Sequence, residues 1–411
     1  MDESSKLDLN SLDLDEESAV YTRKRLLTLP SMTPQIADAI LDWIDEDELP
    51  REFGAESNWY GSRGLAYSPR QGKIESLHEL LLVRGVTREL LFGEDANGNG
   101  WLDPEENDGT AMLPSDNQDG KLQQGWSRWL TTCAAESNLD GSGRLKVCIN
   151  QDSLVTLFRE LEPLVGRDAA RFIVAMRMTG PINNEDVARF DSQEAIDERL
   201  ATAAARSRQQ REGTEVYANT QRETIDGFEI SSAGNYLIRS MVDLIDRVTE
   251  ARIAGKPEIL ESPWGNDPQS VVTTLNFLES RLTTQPGPRL VGRINLNVAE
   301  REVLLTVPGM GLDVATSILQ LRGPRGPQPS RFGAGWLYQQ GMVNLSQLRK
   351  MAPYLTASGD VLSGIAVGQI EGSRQLAAAS FLIDGTGVAP EILRLQYPSP
   401  LPAGSFFEPA E

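Results

Sequence analysis

The sequence is short of the residue types on which many active sites depend. It has one histidine, His78, and two cysteines, Cys133 and Cys148, in 411 residues. A single histidine excludes a zinc site built on several imidazoles and leaves a Ser-His-Asp triad with one candidate base. His78 itself reads as a surface residue of a short helix. Two cysteines with no second pair do not make a zinc knuckle. Neither a Gly-x-Ser-x-Gly elbow nor a P-loop occurs. Long apolar runs are missing too: Ala377–Ile383 falls far below the roughly 18 residues of a membrane span. Met1 to Lys6 carries no signal-peptide pattern. The chain is therefore expected to be soluble, either cytoplasmic or cut from a longer exported or anchored protein. Positive charge is scarce, with 39 Lys and Arg against 59 Asp and Glu and a net charge of −20. Residues 1–110 alone hold 24 acids and 10 bases. That disfavours nucleic acid or an anionic membrane as the partner of this part, and suits metal cations or a basic protein surface.

What is present is an ordinary globular composition, 40% hydrophobic and 24% charged, with length for two or three domains. Self-similarity organises it. Leu26–Leu41 aligns without a gap on Leu304–Leu319, with eight of sixteen positions identical. A weaker copy runs from Leu161 to Arg177, where Pro163, Ala170 and Ile173 keep the spacing of Pro308, Ala315 and Ile318. Each copy reads as helix, tight turn, helix. In the first, Thr33 caps, Pro34 opens the second helix, and Ile36, Ala37, Ile40, Leu41 and Ile44 form one apolar stripe.

Ahead of each copy lies a short alternating segment ending in asparagine: Lys6–Asn10, Lys146–Asn150 and Arg293–Asn297. The alternation predicts a strand, and the asparagine reads as the cap of the next helix, most clearly where Glu300 follows Asn297 at capping-box spacing. Residues 182–235 are polar and read as a helical or exposed insertion with local disorder. Residues 236–282 return to helical periodicity, and 355–395 read as short antiparallel strands. Strand segments at Leu130–Cys133 and Lys146–Cys148 flank a Gly-rich turn, so a Cys133–Cys148 disulfide is expected if the compartment is oxidising.

Asp95-Ala-Asn-Gly-Asn-Gly-Trp-Leu-Asp-Pro-Glu-Glu106 follows the twelve-residue calcium loop position by position. Asp95, Asn97, Asn99, Asp103 and Glu106 supply side-chain oxygens, Trp101 supplies its carbonyl, and Gly100 makes the sharp turn. Asn107-Asp-Gly follows where a sensor's second helix would begin, which points to a structural clip rather than a switch. A second acidic group, Asp42, Asp45, Glu46, Asp47 and Glu48, precedes Arg51 and Glu56 and reads either as a solvated helix end or as another ion site. Asn138-Leu-Asp-Gly-Ser-Gly143 reads as a hairpin turn.

Several ordered motifs resemble the type II secretion minor pseudopilin K (GspK) family. They are Asp42-Trp-Ile-Asp45, Arg51-Glu-Phe-Gly-Ala-Glu56 with Tyr60, Ile74–Leu80, Val83–Thr87, and later Asn295-Leu-Asn297 with Leu304–Met310 and Ile318. The resemblance implies a non-enzymatic pilin-like subunit with a small β-sheet core, a large inserted helical domain and structural Ca2+. It implies a place at the pseudopilus tip, on the periplasmic face of a Gram-negative inner membrane, where the subunit joins other minor pseudopilins and helps start assembly. The family's leader and apolar anchoring helix are missing here, so the chain is expected to be a soluble part lacking its N-terminal anchor.

The expected fold is α+β, built of repeated strand plus helix-hairpin-helix units. Three segments follow: 1–135 with the calcium loop, 136–290 with the polar insertion, and 291–411 with the third hairpin and a C-terminal β region. The alternative reading is a helix-hairpin-helix DNA-binding protein. Residues 292–357 carry seven bases against three acids, and amides of a Pro308-Gly-Met-Gly311 hairpin suit a phosphate. Both hairpin glycines are replaced in the first copy, by Ser31 and Thr33, which weakens that reading.

Overall fold

The computed structural model describes residues 1–14, 16–95, 102–103, 106–109, 116–182, 223–231, 233–322, 333–369 and 376–397. Two compact units result: Met1–Ser137 with Arg289–Arg331 and Tyr354–Glu411, and Asn138–Pro288 with Phe332–Pro353. The three-segment division drawn from the sequence follows the repeats, whereas this division follows the contacts.

In the first unit, strand β1 (Leu7–Asp8) is followed by helices α1 (Glu16–Leu27) and α2 (Pro34–Ile44). Thr33 caps α2, its hydroxyl accepting from the Ile36 amide at 3.3 Å, and the predicted stripe Ile36, Ala37, Ile40, Leu41 and Ile44 is buried. Between the helices Ser31 takes a left-handed φ of 60°. Trp126, itself buried, donates its indole N–H to the Pro30 carbonyl and locks the turn. Helices α3 (Ser57–Ser62) and α4 (Arg88–Phe92) lead to β2 (Leu130–Thr131), which pairs parallel with β1, and to β3 (Ala135–Ser137).

The second unit repeats the plan with β4 (Val147–Cys148), α5 (Leu154–Val165) and α6 (Arg167–Thr179), joined through Gly166 at φ 86°. Pro163 lies within α5 rather than breaking it. The expected helical run over 236–282 is helical only in part. Beyond a short 3-10 turn at Met241–Leu244, the chain forms the hairpin β7 (Val248–Ile253) and β8 (Lys256–Glu261), and β7 pairs antiparallel with β6 (Phe228–Ile230), itself in a hairpin with β5 (Glu223–Ile225). Helix appears only at α7 (Pro268–Glu279), before β9 (Leu282–Thr283) closes on β4 in parallel. Both hairpin turns place two residues at positive φ, Asp226-Gly227 and Ala254-Gly255. That is the primed geometry which matches strand twist, and it outweighs a helical spacing of apolar residues. Of the polar insertion, residues 183–222 and 232 lie outside the described residues.

The chain then returns to the first unit. Strand β10 (Arg289–Val291) pairs antiparallel with β3, and β11 (Ile294–Asn295) precedes α8 (Arg301–Leu304) and α9 (Leu312–Arg322), with Gly309 at φ 86° between them. Helices α10 (Gly335–Gln339) and α11 (Leu345–Met351) belong to the second unit. Strand β12 (Leu355–Thr356) pairs parallel with β11, and the expected C-terminal strands form the antiparallel sheet β13 (Val361–Gln369), β14 (Leu376–Asp384), β15 (Glu391–Gln396).

The three asparagines do not cap helices. Asn10 donates its amide to the Ile74 and Thr132 carbonyls, both at 2.8 Å, and accepts from the Ile74 amide at 2.8 Å. Asn150 donates to Ile238 and Thr284, both at 2.8 Å, and accepts from the Ile238 amide at 3.1 Å. Asn297 donates to Ala357 at 2.9 Å. Thr132, Thr284 and Ala357 each follow the return strand of their repeat, so the asparagine clasps the outgoing strand to the incoming one. Glu300, not Asn297, stands at the N-cap of α8. An arginine reinforces the later two clasps. Arg177 on α6 reaches the Asn150 and Gln151 carbonyls, and Arg322 on α9 reaches those of Leu296 and Ala299.

The expected disulfide does not form: Cys133 and Cys148 are free. Cys148 lies in β4, which pairs with β9, and Cys133 follows β2, which pairs with β1, so the two segments are not neighbours in a hairpin. The Gly-rich turn itself forms as expected, with Asp140 accepting from the Ser142 and Arg144 amides at 2.8 and 3.0 Å. Burial pushes both thiols above their usual range. A thiol-exchange reagent should therefore react slowly with native protein, yet titrate two thiols per chain in denaturant without reductant. A count of zero there would mean that the cysteines pair.

Candidate metal centres in the first unit

The calcium-loop sequence leaves α4, whose N-terminus is capped by Thr87 through the Leu90 amide at 3.3 Å. At its far end Gly93 turns with φ 64°, and a Cβ there would stand 1.9 Å from the Gln123 carbonyl oxygen. Gly125 (φ 53°) packs from the other side, where a Cβ would stand 2.6 Å from the Leu90 oxygen. This contact pins the base of the loop. The Glu94 amide donates to Gln123 at 2.9 Å, and the Gln123 amide donates to the Glu94 carboxylate at 2.6 Å. Gly93→Ala combines a left-handed φ with a backbone collision, so it should destabilise the first unit by about 2–4 kcal/mol. Thermal unfolding would measure it, and a change under 0.5 kcal/mol would show that the two segments separate freely.

Within the loop, Asp95, Asp103 and Glu106 are 4, 4 and 7% exposed. The Asp95 amide ties back to Phe92 at 3.3 Å. The Glu106 amide donates to the Asp103 carbonyl at 2.9 Å, and the Asp103 amide donates to the Glu106 carboxylate at 3.1 Å. Asn97, Asn99 and Trp101 lie outside the described residues. Three of the six expected ligand positions are therefore placed, and they are the three carboxylates. Burying three carboxylates within twelve residues is unfavourable without a compensating cation, and this hard-oxygen donor set fits calcium. Burial, with Asp116, Asp119 and Glu106 nearby, also holds the Glu94 carboxyl above its usual range.

The second acidic group divides. Glu46, Asp47 and Glu48 are exposed, as a solvated helix end would be, whereas Asp42, Asp45 and Glu56 are 0, 5 and 3% exposed. One carboxylate oxygen from each of these three lies within 4.8 Å of the others. Asp42 belongs to α2 and Asp45 is its C-cap, one turn apart on a shared face. Glu56 is brought in by the loop through Gly54, where a Cβ would stand 1.7 Å from Asp42 Oδ2. Arg51 enters from one side, its Nη1 donating to Asp42 Oδ1 at 2.7 Å and to Asp45 Oδ2. Asp45 Oδ1 and both Glu56 oxygens are buried and have no hydrogen-bond partner. Burial first, then Asp42, Asp45, Glu48 and Asp47, push the Glu56 carboxyl up to about 8. The sequence grouped five acids by proximity. The available signal was the i, i+3 spacing of Asp42 and Asp45 at the end of a largely apolar helix.

His78 is exposed, as expected, with its ring 4.7 Å from that of Phe92. Among the described residues no helix is long and apolar enough to cross a membrane.

The class these features define is an α+β protein of repeated strand and paired-helix units, with two carboxylate-rich centres on the first repeat. Residues 5–92, which span β1 to α4 and the Asp42, Asp45 and Glu56 cluster, match the family model described as type II secretion system (T2SS), protein K. Over these residues, about a fifth of the chain, the protein is similar to protein K of the type II secretion system. None of the curated proteins matches the chain.

Proposed function

We infer that the protein is a non-enzymatic minor pseudopilin, a structural subunit at the tip of the pseudopilus that helps initiate its assembly for protein export. The observation that carries this reading is the protein K match over residues 5–92. A second feature supports it. In the β13–β15 sheet, Leu362, Ile383 and Ile392 stand side by side on one face with Phe381 and Leu395, and Leu362, Ile392 and Leu395 are exposed. A pilin-like core needs such an apolar sheet face. The subunit would act at the periplasmic face of a Gram-negative inner membrane, held by an N-terminal segment outside this sequence. Its partners would be the other minor pseudopilins.

Calcium at Asp95, Asn97, Asn99, Trp101, Asp103 and Glu106 would serve structure. It would neutralise the buried acids and hold the long loop between α4 and β2 against its Gly93–Gly125 base. The DNA-binding alternative has no support from the family match.

Co-purification tests the assignment. The protein with its anchor segment should recover at least one other minor pseudopilin of the same organism, and retention on duplex DNA should be weak and lost with salt. Recovery of no pseudopilin under conditions where those proteins are folded and present would overturn the reading.

A further inference from the structure

We propose that the second unit carries a binding cleft for a carboxylate of a polypeptide partner, received by the guanidiniums of Arg247 and Arg349 beside Trp264. The cleft measures about 540 Å3 and is lined by Asp246, Arg247, Val248, Glu261, Ser262 and Trp264, among others. That volume lies within the roughly 300–1,000 Å3 of small-ligand sites. The lead-in to β7 builds one wall. Asp246 takes a left-handed φ of 49°, and its amide donates to the Trp264 carbonyl at 2.8 Å. Ser262 secures the return from β8, its hydroxyl donating to the Leu244 carbonyl at 2.6 Å. Trp264 is half-buried and stands edge-on to Phe172 of α6, with 6.4 Å between ring centres.

Donors gather here without acceptors. Arg247 and Arg349 each have a buried Nε with no hydrogen-bond partner. Arg349 spends Nη2 on the Ile245 carbonyl at 2.6 Å, one residue before the cleft wall. Among the described residues no carboxylate forms an ion pair with either of them, nor with Arg239. The charges of all three reach the Tyr236 phenol. In a chain with 59 acids against 39 bases, arginines left unpaired together are unexpected. Burial first, and then the charge of Arg247, hold the Arg349 guanidinium below its usual range. The nearest acids offset part of this charge, but their oxygens are engaged elsewhere. Asp243 accepts from the Arg239 and Ser240 amides at 3.0 and 3.1 Å, and Asp246 accepts from the Asn266 side chain at 2.9 Å. A guanidinium offers five donors and no acceptor, and a buried donor left unmade is costly. The group that completes the set is an anion with paired oxygens, and a carboxylate matches the guanidinium fork.

The rest of the cleft selects the source of that carboxylate. Asp246 and Glu261 are exposed on its walls and repel a polyanion, which disfavours nucleic acid and phosphate-rich surfaces. Val248 and Trp264 offer apolar surface beside the arginine. An acidic residue with apolar neighbours, in an exposed segment of another protein, meets both demands.

The test is fluorescence anisotropy on the whole chain with a labelled hexapeptide, a glutamate flanked by leucines with neutral ends, and with its glutamine counterpart. The glutamate peptide should bind about tenfold tighter than the glutamine peptide, and that margin should vanish in Arg247→Met. Arg247→Lys keeps the charge without the fork and should retain only part of the margin. Melting gives a readout without ligand. Arg247→Met should melt at or above the unchanged protein, because it removes a charge that no acid pairs. A lower melting temperature would show that the charge is already compensated, and would overturn the site. Equal affinity for the two peptides would do the same, as would no binding at millimolar peptide. Displacement of the glutamate peptide by inorganic phosphate as readily as by unlabelled peptide would assign the arginines to a free anion and overturn the polypeptide ligand.

Discussion

Chelation of divalent cations should lower the melting temperature of the first unit by roughly 5–10 °C. The loop at 95–106 supplies the reason. Asp95, Asp103 and Glu106 are each buried, and a cation that drew them onto one centre would be confined to the folded loop. A ligand confined to the native state stabilises it by RT ln(1 + [L]/Kd), about 2.7 kcal/mol at a hundredfold excess over Kd. At about 2–4 °C per kcal/mol for a unit of this size, the predicted shift follows. Magnesium should rescue poorly, because it demands tighter octahedral geometry and sheds water reluctantly. Glu106→Gln should weaken the loop site most, by removing the charge of the bidentate ligand. Identical melting curves in millimolar calcium and in excess chelator would remove calcium from the structural account. A calcium-driven opening that exposes an apolar groove would instead make the loop a switch rather than a clip.

Asn150→Ala should unfold the second unit at markedly lower temperature, with a loss of about 3–4 kcal/mol. The side chain makes three hydrogen bonds, to the Ile238 and Thr284 carbonyls and from the Ile238 amide, at 2.8, 2.8 and 3.1 Å. Removing it orphans two acceptors and a donor at the point where β4, β9 and the segment before Met241 meet. Each buried unsatisfied group costs about 1–3 kcal/mol, and partial access of water sets the total near the lower end. Asn150→Asp should be no better, since it replaces the donor by a carboxylate oxygen that faces two carbonyl oxygens. Asn10→Ala should do the same to the first unit. Alanine at Asn266, whose side chain reaches only Asp246 at the surface, serves as the control. A loss below 0.5 kcal/mol at Asn150 would show that water replaces the clasp.

The asparagines mark where sequence reasoning reached its limit. Each was visible as a recurring element beside a strand, and the nearest local role was a helix cap. The actual partners of Asn10 lie 64 and 122 positions away, and those of Asn150 lie 88 and 134 away. Capping is a contact within one turn and can be read locally, as Thr33 shows. A clasp needs both strands in place. The β7–β8 hairpin failed for a related reason: its apolar residues fit a helical spacing as well as a strand's. Only pairing with β6 and the two left-handed turn residues separates the two. The cysteines read locally as neighbours across a turn, but β4, which holds Cys148, and β2, just before Cys133, take parallel partners far along the chain.

What the sequence determined alone is whatever depends on short-range spacing. The paired helices, the cap and opening proline of α2, its apolar stripe, the C-terminal strands and the candidate loop of oxygen ligands all follow from residues within about a dozen positions. The tertiary structure alone decided which acids are buried. Asp42, Asp45 and Glu46 to Glu48 lie within seven residues, yet the first two are buried at the end of α2 and the others are exposed. Glu56 joins the inner pair only because the loop folds back through Gly54. Burial sets the energy of a charge, and it is a property of the packed chain, since one helical turn can carry carboxylates to opposite environments.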